Sequence, residues 1–352
     1  MRELVLVLPD RPTREADPQT AARGGSVATA ETGLTQRRFA APRALRGGWR
    51  AMLARGVGRP DLALVDVASV VDAALQLRRA ADAVAVVTDV WMATPLHLLA
   101  GLKTLHLPAN GLLRLAPEEA AEMASEFAKV FGGDGLELQP AGAAGFVLRG
   151  FAAPGVLTVE PTRLAQSLET NLPSGAGSAE LRALASELEM WLHELPLNRR
   201  REARGEPRIS SLWLWGGGES PRDPLRAGAA ADAEPMADEA ATRWSLLVAD
   251  DVWVEALAQL AGVPFAPLGD SLPPLLASDD ASVCVVATRG AVDHVGLETA
   301  FIAPAMAALE AGRMERWVLA ANDRWIAATR GDRWRVWRPR RSWLAAVADG
   351  SP

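Results

Sequence analysis

Short apolar runs alternate with stretches of helical period along this chain, and each run is bounded by glycine, proline or polar residues. The runs at Glu3–Leu8, 83–89, 209–215, 244–249, 282–288 and 317–320 are too short for buried helices and rich in β-branched or aromatic residues, so they predict buried strands. Helical spacing appears over 41–55 through Leu45, Trp49, Met52 and Leu53, and continues in mixed form over 61–79. It returns after Pro117, after Ser178 through Leu181, Leu184, Leu188, Trp191 and Leu192, through Trp253, Leu257 and Leu260 to Gly262, and over 297–311. Residues 325–338 suggest a hairpin around Arg330-Gly331-Asp332. Alternation of strand and helix predicts an α/β fold, a mostly parallel sheet with helices on both faces.

The pattern changes near Trp91. Residues 94–98 and 103–107 read as short strands, Pro117 opens a helix at its first position with Glu118 and Glu119 beside it, and 135–140 with 145–149 read as a hairpin. We therefore expect a smaller α+β cap at 92–175, inserted into a core formed by 1–91 and 176–352. His97 and His106 alternate with leucines and read as packed histidines, and His193 stands near a helix end that favours a cation. Residues 11–38 and 223–239 read as polar loops.

Composition narrows the function. With 352 residues and 49% apolar content the chain can bury a large core, and a formal charge of −6 argues against a general nucleic-acid surface. The single cysteine, Cys284, lies inside an apolar run and reads as a strand residue, not a nucleophile. No stretch approaches the length of a membrane span and the first apolar run stops at Pro9-Asp10, so a cytoplasmic protein without membrane partners is expected.

Candidate chemistry concentrates between Asn198 and Gly218. Arg199, Arg200, Arg201 and Arg204 precede an apolar strand that ends in Gly216, Gly217 and Gly218. Guanidinium forks suit phosphate or carboxylate, and glycine turns can present backbone N–H groups to an anion, so Asn198, Arg199, Arg204 and the three glycines are candidate ligand-binding residues. A solvated helix end and a plain tight turn explain the same residues, because no P-loop lysine follows.

The order of these pieces carries a resemblance. A strand ending in Asp10, an inserted unit, Leu195-Pro196-Leu197-Asn198-Arg199 and then Ser211-Leu212-Trp213-Leu214-Trp215-Gly216-Gly217-Gly218 resembles the archaeal-type cofactor-independent phosphoglycerate mutases. Within them it is similar to the bacterial RpfE-type branch of regulatory proteins, from Trp91 to about Gly218. The resemblance implies an alkaline-phosphatase-like core with an inserted cap, and a two-metal site that passes a phosphoryl group through a serine. Asp10 matches the first metal-binding aspartate, although Arg11 replaces the usual glycine, and Ser26 is the nearest candidate for the serine. The Asp-x-x-x-His pattern falls on 290–294, keeping His294 and losing its aspartate, and the later Asp-His pair falls on Asp323-Arg324.

A divalent-metal site built from Asp10, His294 and Asp323 is thus incomplete. The sequence leads us to expect a phosphoglycerate-mutase-like protein without mutase activity, serving as a regulatory protein that binds an anionic or phosphorylated small molecule or a protein partner. The alternative is a phosphotransferase or phosphohydrolase with a reduced metal site.

Overall fold

The computed structural model describes residues 3–9, 35–45, 47–79, 89–100, 105–108, 110–142, 145–161, 164, 172–217, 244–272, 282–287, 294–321 and 323–348. The expected loop at 11–38 lies mostly outside these residues, and the expected strand at 83–89 does so except for Asp89.

In chain order the elements begin β1 (Glu3–Leu8), β2 (Gln36–Arg37), β3 (Arg43–Ala44), α1 (Gly48–Gly56), α2 (Val67–Arg78), β4 (Val90–Leu96), β5 (Leu99–Ala100) and β6 (Leu105–His106). Then come α3 (Pro117–Phe131), β7 (Glu137–Pro140), β8 (Phe146–Arg149), β9 (Val156–Leu157), β10 (Ser174–Gly175), α4 (Ser178–Glu194), α5 (Pro196–Ala203) and β11 (Ser211–Trp215). The last part holds β12 (Leu246–Ala249), α6 (Val252–Ala261), β13 (Phe265–Pro267), β14 (Ser282–Val286), α7 (His294–Leu297), α8 (Ala303–Glu310), β15 (Arg316–Ala321), β16 (Arg324–Thr329), β17 (Arg341–Ser342) and α9 (Trp343–Ala348). Two compact units result, Met1–Ala63 with Gly228–Pro352, and Leu64–Ala227.

The first unit is built on a seven-stranded sheet of order β13-β12-β14-β1-β15-β16-β3. Its central strands are parallel, and β16 and β3 add an antiparallel edge. Every residue of β1 is buried. Leu4, Leu6 and Leu8 join one core with Phe301, Ile302, Met306, Leu309 and Trp343, while Val5 and Val7 point by strand alternation to the other face and are equally buried. Burial on both faces is the condition for a parallel sheet.

The second unit is a four-stranded antiparallel sheet of order β11-β4-β8-β7. Trp91, Phe146, Leu148, Leu212 and Leu214 form its core with Met123 and Phe127 of α3 and Leu181, Leu188 and Leu192 of α4. Helix α2 is tied to the sheet by Asp72, which is fully buried and accepts from Arg149 Nε at 2.6 Å.

Three expectations are displaced. The division does not fall at 92 and 175: Leu214 pairs with Ala93 in the smaller sheet, whereas Val5 pairs with Cys284 and Val318 in the larger one. The reason is specific pairing of β11, whose Trp215 indole donates to Thr94 Oγ1 at 2.9 Å and whose Trp213 indole donates to Val159 O at 2.8 Å. The helix expected over 41–55 begins only at Gly48, because Gly47 and Gly48 both take positive φ, 76° and 78°. The hairpin expected around Arg330-Gly331-Asp332 forms instead between β15 and β16, and the Asp332 carboxylate accepts from Thr329 N at 2.7 Å, bending 330–334 into a 3₁₀ turn.

Cys284 is a fully buried strand residue whose thiol is pushed well above its ordinary range by burial, with Glu3 adding to the shift. The thiolate is the reactive form. An aromatic disulfide reagent should therefore leave the native protein unlabelled at neutral pH and react with one thiol per chain on unfolding; rapid labelling of the native protein would contradict this packing.

Candidate functional site

The Asn198 segment starts from a helix break. Leu195 is extended, with φ −61° and ψ 121°, and Pro196 occupies the first position of α5, where its missing N–H costs nothing. This turn brings Asn198 under the end of α4, where it is only 2% exposed. Its Nδ2 donates to Leu192 O at 2.7 Å and Ile209 O at 2.8 Å, and its Oδ1 accepts from Ile209 N at 2.7 Å. The side chain joins the end of α4 to the entry of β11, and its amide is fully engaged within the protein.

Three of the four arginines after it are held by glutamates. Arg201 is buried, donating through Nε to Pro207 O at 2.9 Å and through Nη1 to Glu119 Oε2 at 2.7 Å. Arg204 reaches Glu119 Oε1 at 2.6 Å and meets Glu206 with two bonds of 2.9 Å. Arg200 pairs with Glu122. The bond from Arg204 holds the Glu206 carboxyl below its ordinary range, and the Arg204 guanidinium is raised in return. The side chain of Arg199 is exposed and has no hydrogen bond or ion pair among the described residues.

Glu119 was not singled out by the sequence as a site residue. It is the third residue of α3, also accepts from Ala116 N at 3.3 Å, and bridges Arg201 and Arg204. The signal was a carboxylate two residues after a helix-opening proline, which reads as a helix-dipole residue and gives no hint of two distant arginines.

The glycines serve close packing. Gly216 has φ +62°, its carbonyl accepts from Ala68 N at 2.7 Å, and a Cβ there would stand 3.1 Å from Val67 Cβ. A Cβ on Gly217 would stand 1.8 Å from Val90 O. Both glycines thus let β11 end against the start of α2 and the backbone of β4. Gly218 lies outside the described residues.

Of the metal candidates, Asp10 and the weak nucleophile candidate Ser26 lie outside the described residues, as does the side chain of His294, whose backbone opens α7. Asp323 follows β15, its side chain 84% exposed and 3.8 Å from Arg324 Nε. Registers of Leu8 with Ala321 and of Val7 with Val286 put the carboxyl ends of β1, β15 and β14 on one sheet edge. Asp323 is at that edge, the side on which α/β sheets collect ligands. The described histidine side chains are in protein contacts: His97 Nδ1 lies 2.9 Å from Arg208 O, and His193 Nδ1 lies 3.2 Å from Arg208 Nη2. No cluster of three or more His, Cys, Asp or Glu suited to a metal occurs among the described residues. No helix among them is long and apolar enough to cross a membrane.

No protein-family model matches the chain. Over 69 residues, 19% of this chain and 17% of the relative, it is 36% identical to a Geobacter sulfurreducens protein described as a probable 2,3-bisphosphoglycerate-independent phosphoglycerate mutase. Among solved structures it is similar to the PH0037 protein from Pyrococcus horikoshii, with 14% identity, a TM-score of 0.43, and coverage of 98% of this chain and 92% of that one. A cofactor-independent phosphoglycerate mutase from Thermoplasma acidophilum gives 11% identity, a TM-score of 0.38, and coverage of 100% and 95%.

The geometry predicts opposite outcomes for neighbouring residues. Asn198→Ala strands the Ile209 N–H and C=O in a buried setting and leaves Leu192 O only its bond from Leu195 N, so it should lower stability by about 2–3 kcal/mol in urea unfolding. Arg199→Ala should change it by less than about 0.5 kcal/mol. The small contribution of the exposed Arg204–Glu206 pair should be complete above the ordinary carboxylate range and vanish as pH falls through the lowered Glu206 pKa.

Proposed function

We propose that this chain is a divergent phosphoglycerate-mutase-like protein of the RpfE-type branch that acts by binding, as a regulatory protein, and does not turn over phosphoglycerate. On this reading the larger unit is an alkaline-phosphatase-like core. The observation that carries the reading is Arg324 Nε at 3.8 Å from the Asp323 carboxylate, at the position where the resemblance calls for a histidine ligand. An imidazole offers a lone pair to a metal, whereas a guanidinium stays protonated and offers none. A fixed cation also repels a divalent ion, so a metal does not fit this corner of the inherited site. The 69-residue likeness to a phosphoglycerate mutase supports the ancestry.

An anionic metabolite or a partner's carboxylate would meet Arg199 first, because its charge is exposed, while Arg200, Arg201 and Arg204 already face glutamates. Arg204 could join such a ligand by releasing Glu206 but keeping Glu119. Asn198 and the glycines would shape that surface without touching the ligand.

The runner-up, a phosphotransferase or phosphohydrolase using Asp10, His294 and Asp323, draws on the shared carboxyl edge of β1, β14 and β15. Metal content and turnover separate the readings. Purified protein incubated with manganese or cobalt should retain far less than one metal per chain and should not interconvert 3- and 2-phosphoglycerate. Thermal-shift screening of phosphorylated three-carbon acids should show stabilisation that weakens in Arg199→Ala. Stoichiometric metal lost on Asp323→Ala, or turnover by the wild type, would overturn the binding reading in favour of the enzyme.

A further inference from the structure

Residues 330–341 read Arg-Gly-Asp-Arg-Trp-Arg-Val-Trp-Arg-Pro-Arg-Arg. Six arginines less one aspartate give this segment +5, so against −6 for the whole chain the other residues carry −11. Its one acid is internal: Asp332 is buried and accepts from Thr329 N at 2.7 Å, Thr329 Oγ1 at 2.8 Å and Arg338 Nη1 at 3.0 Å, with Arg335 Nη1 at 3.4 Å. Further bonds from Val336 N to Trp334 O, 2.9 Å, and from Arg338 N to Arg335 O, 3.0 Å, brace the loop.

The braced loop holds Trp334, Val336 and Trp337 outward, 71%, 71% and 76% exposed, with Arg333 4.8 Å from the Trp334 ring centroid. Elsewhere Trp91, Trp253, Trp317 and Trp343 are fully buried. Two tryptophans and a valine fixed in water among arginines have the chemistry of an interface centre, where Trp and Arg contribute most of the binding energy.

A complementary surface lies on α4. Glu180, Glu187 and Glu194 recur every seven residues on its exposed side, and Met190 between them is 66% exposed. Arg182, the one arginine of α4, lies about 200° round the helix from Glu180 and is bonded to Pro173 O at 3.2 Å. Carboxylates suit the loop arginines, and a methionine thioether suits an indole.

We propose that the tryptophan–arginine loop of one copy docks on the glutamate–methionine face of α4 in a second copy, so that the protein self-associates. Charge favours this occupant over a nucleic-acid strand or an anionic lipid surface, either of which would also meet the −11 borne by the other residues. The inference is independent of the binding reading above.

Sedimentation equilibrium over micromolar to millimolar protein tests it. The wild type should show a mass above the 37.4 kDa of one chain, falling toward that value in about 1 M salt, where charges are screened within about 3 Å. Trp334→Ala/Trp337→Ala and Glu187→Lys/Glu194→Lys alter exposed residues, so both should melt like the wild type and both should sediment as single chains. A wild type that is monomeric at every concentration, or an assembly that survives either double variant, would overturn the proposal. A monomeric wild type that binds oligo(dT) or phosphatidylglycerol vesicles, with binding lost in the tryptophan variant, would assign the loop to a polyanion instead.

Discussion

Three hydrogen bonds of one amide hold the smaller unit together at its least forgiving point. Leu192 O belongs to the last turn of α4, where Leu195 N donates to it at a long 3.3 Å, and Ile209 stands fully buried before β11 has begun to pair with β4. Buried backbone groups require partners, and Asn198 supplies them to Leu192 O and to both the N–H and C=O of Ile209. The orientation of α4, the start of β11 and hence the pairing of Leu214 with Ala93 depend on that side chain.

Glu119 adds an electrostatic brace. A buried guanidinium is tolerated only with its charge balanced and its donors used, and Arg201 gains both from Glu119, with Pro207 O taking its Nε. Because Arg204 shares the same carboxylate, α3 is linked to both ends of the Arg201–Arg204 turn. Polar residues that resemble a ligand site in one dimension thus become internal partners of one another in three.

Strand existence was legible in several of the short, bounded apolar runs. Glu3–Leu8, Ser211–Trp215 and Ser282–Val286 appear where the pattern put them, and so does the helix opened by Pro117. Strand partnership was not legible, because β11 is as apolar as the parallel strands, and only its antiparallel register with β4, reinforced by the Trp215 bond to Thr94, assigns it to the smaller sheet. The candidate site fared similarly: residue types at 198–204 suit an anion, but apart from the adjacent Glu206 the glutamates that engage them come from positions 119 and 122, and pairing across such separations leaves no local signature.

The central claim is that Asn198 and its neighbours hold the fold, with ligand contact left to the exposed fringe around Arg199. Hydrogen exchange at the Ile209 amide reports on this most directly, because that N–H has Asn198 Oδ1 as its acceptor and no helix or sheet to protect it. The account predicts exchange only through unfolding of the whole unit, as slow as amides in the centre of β4. Exchange at the rate of the exposed turn at Arg204 and Gly205 would contradict it.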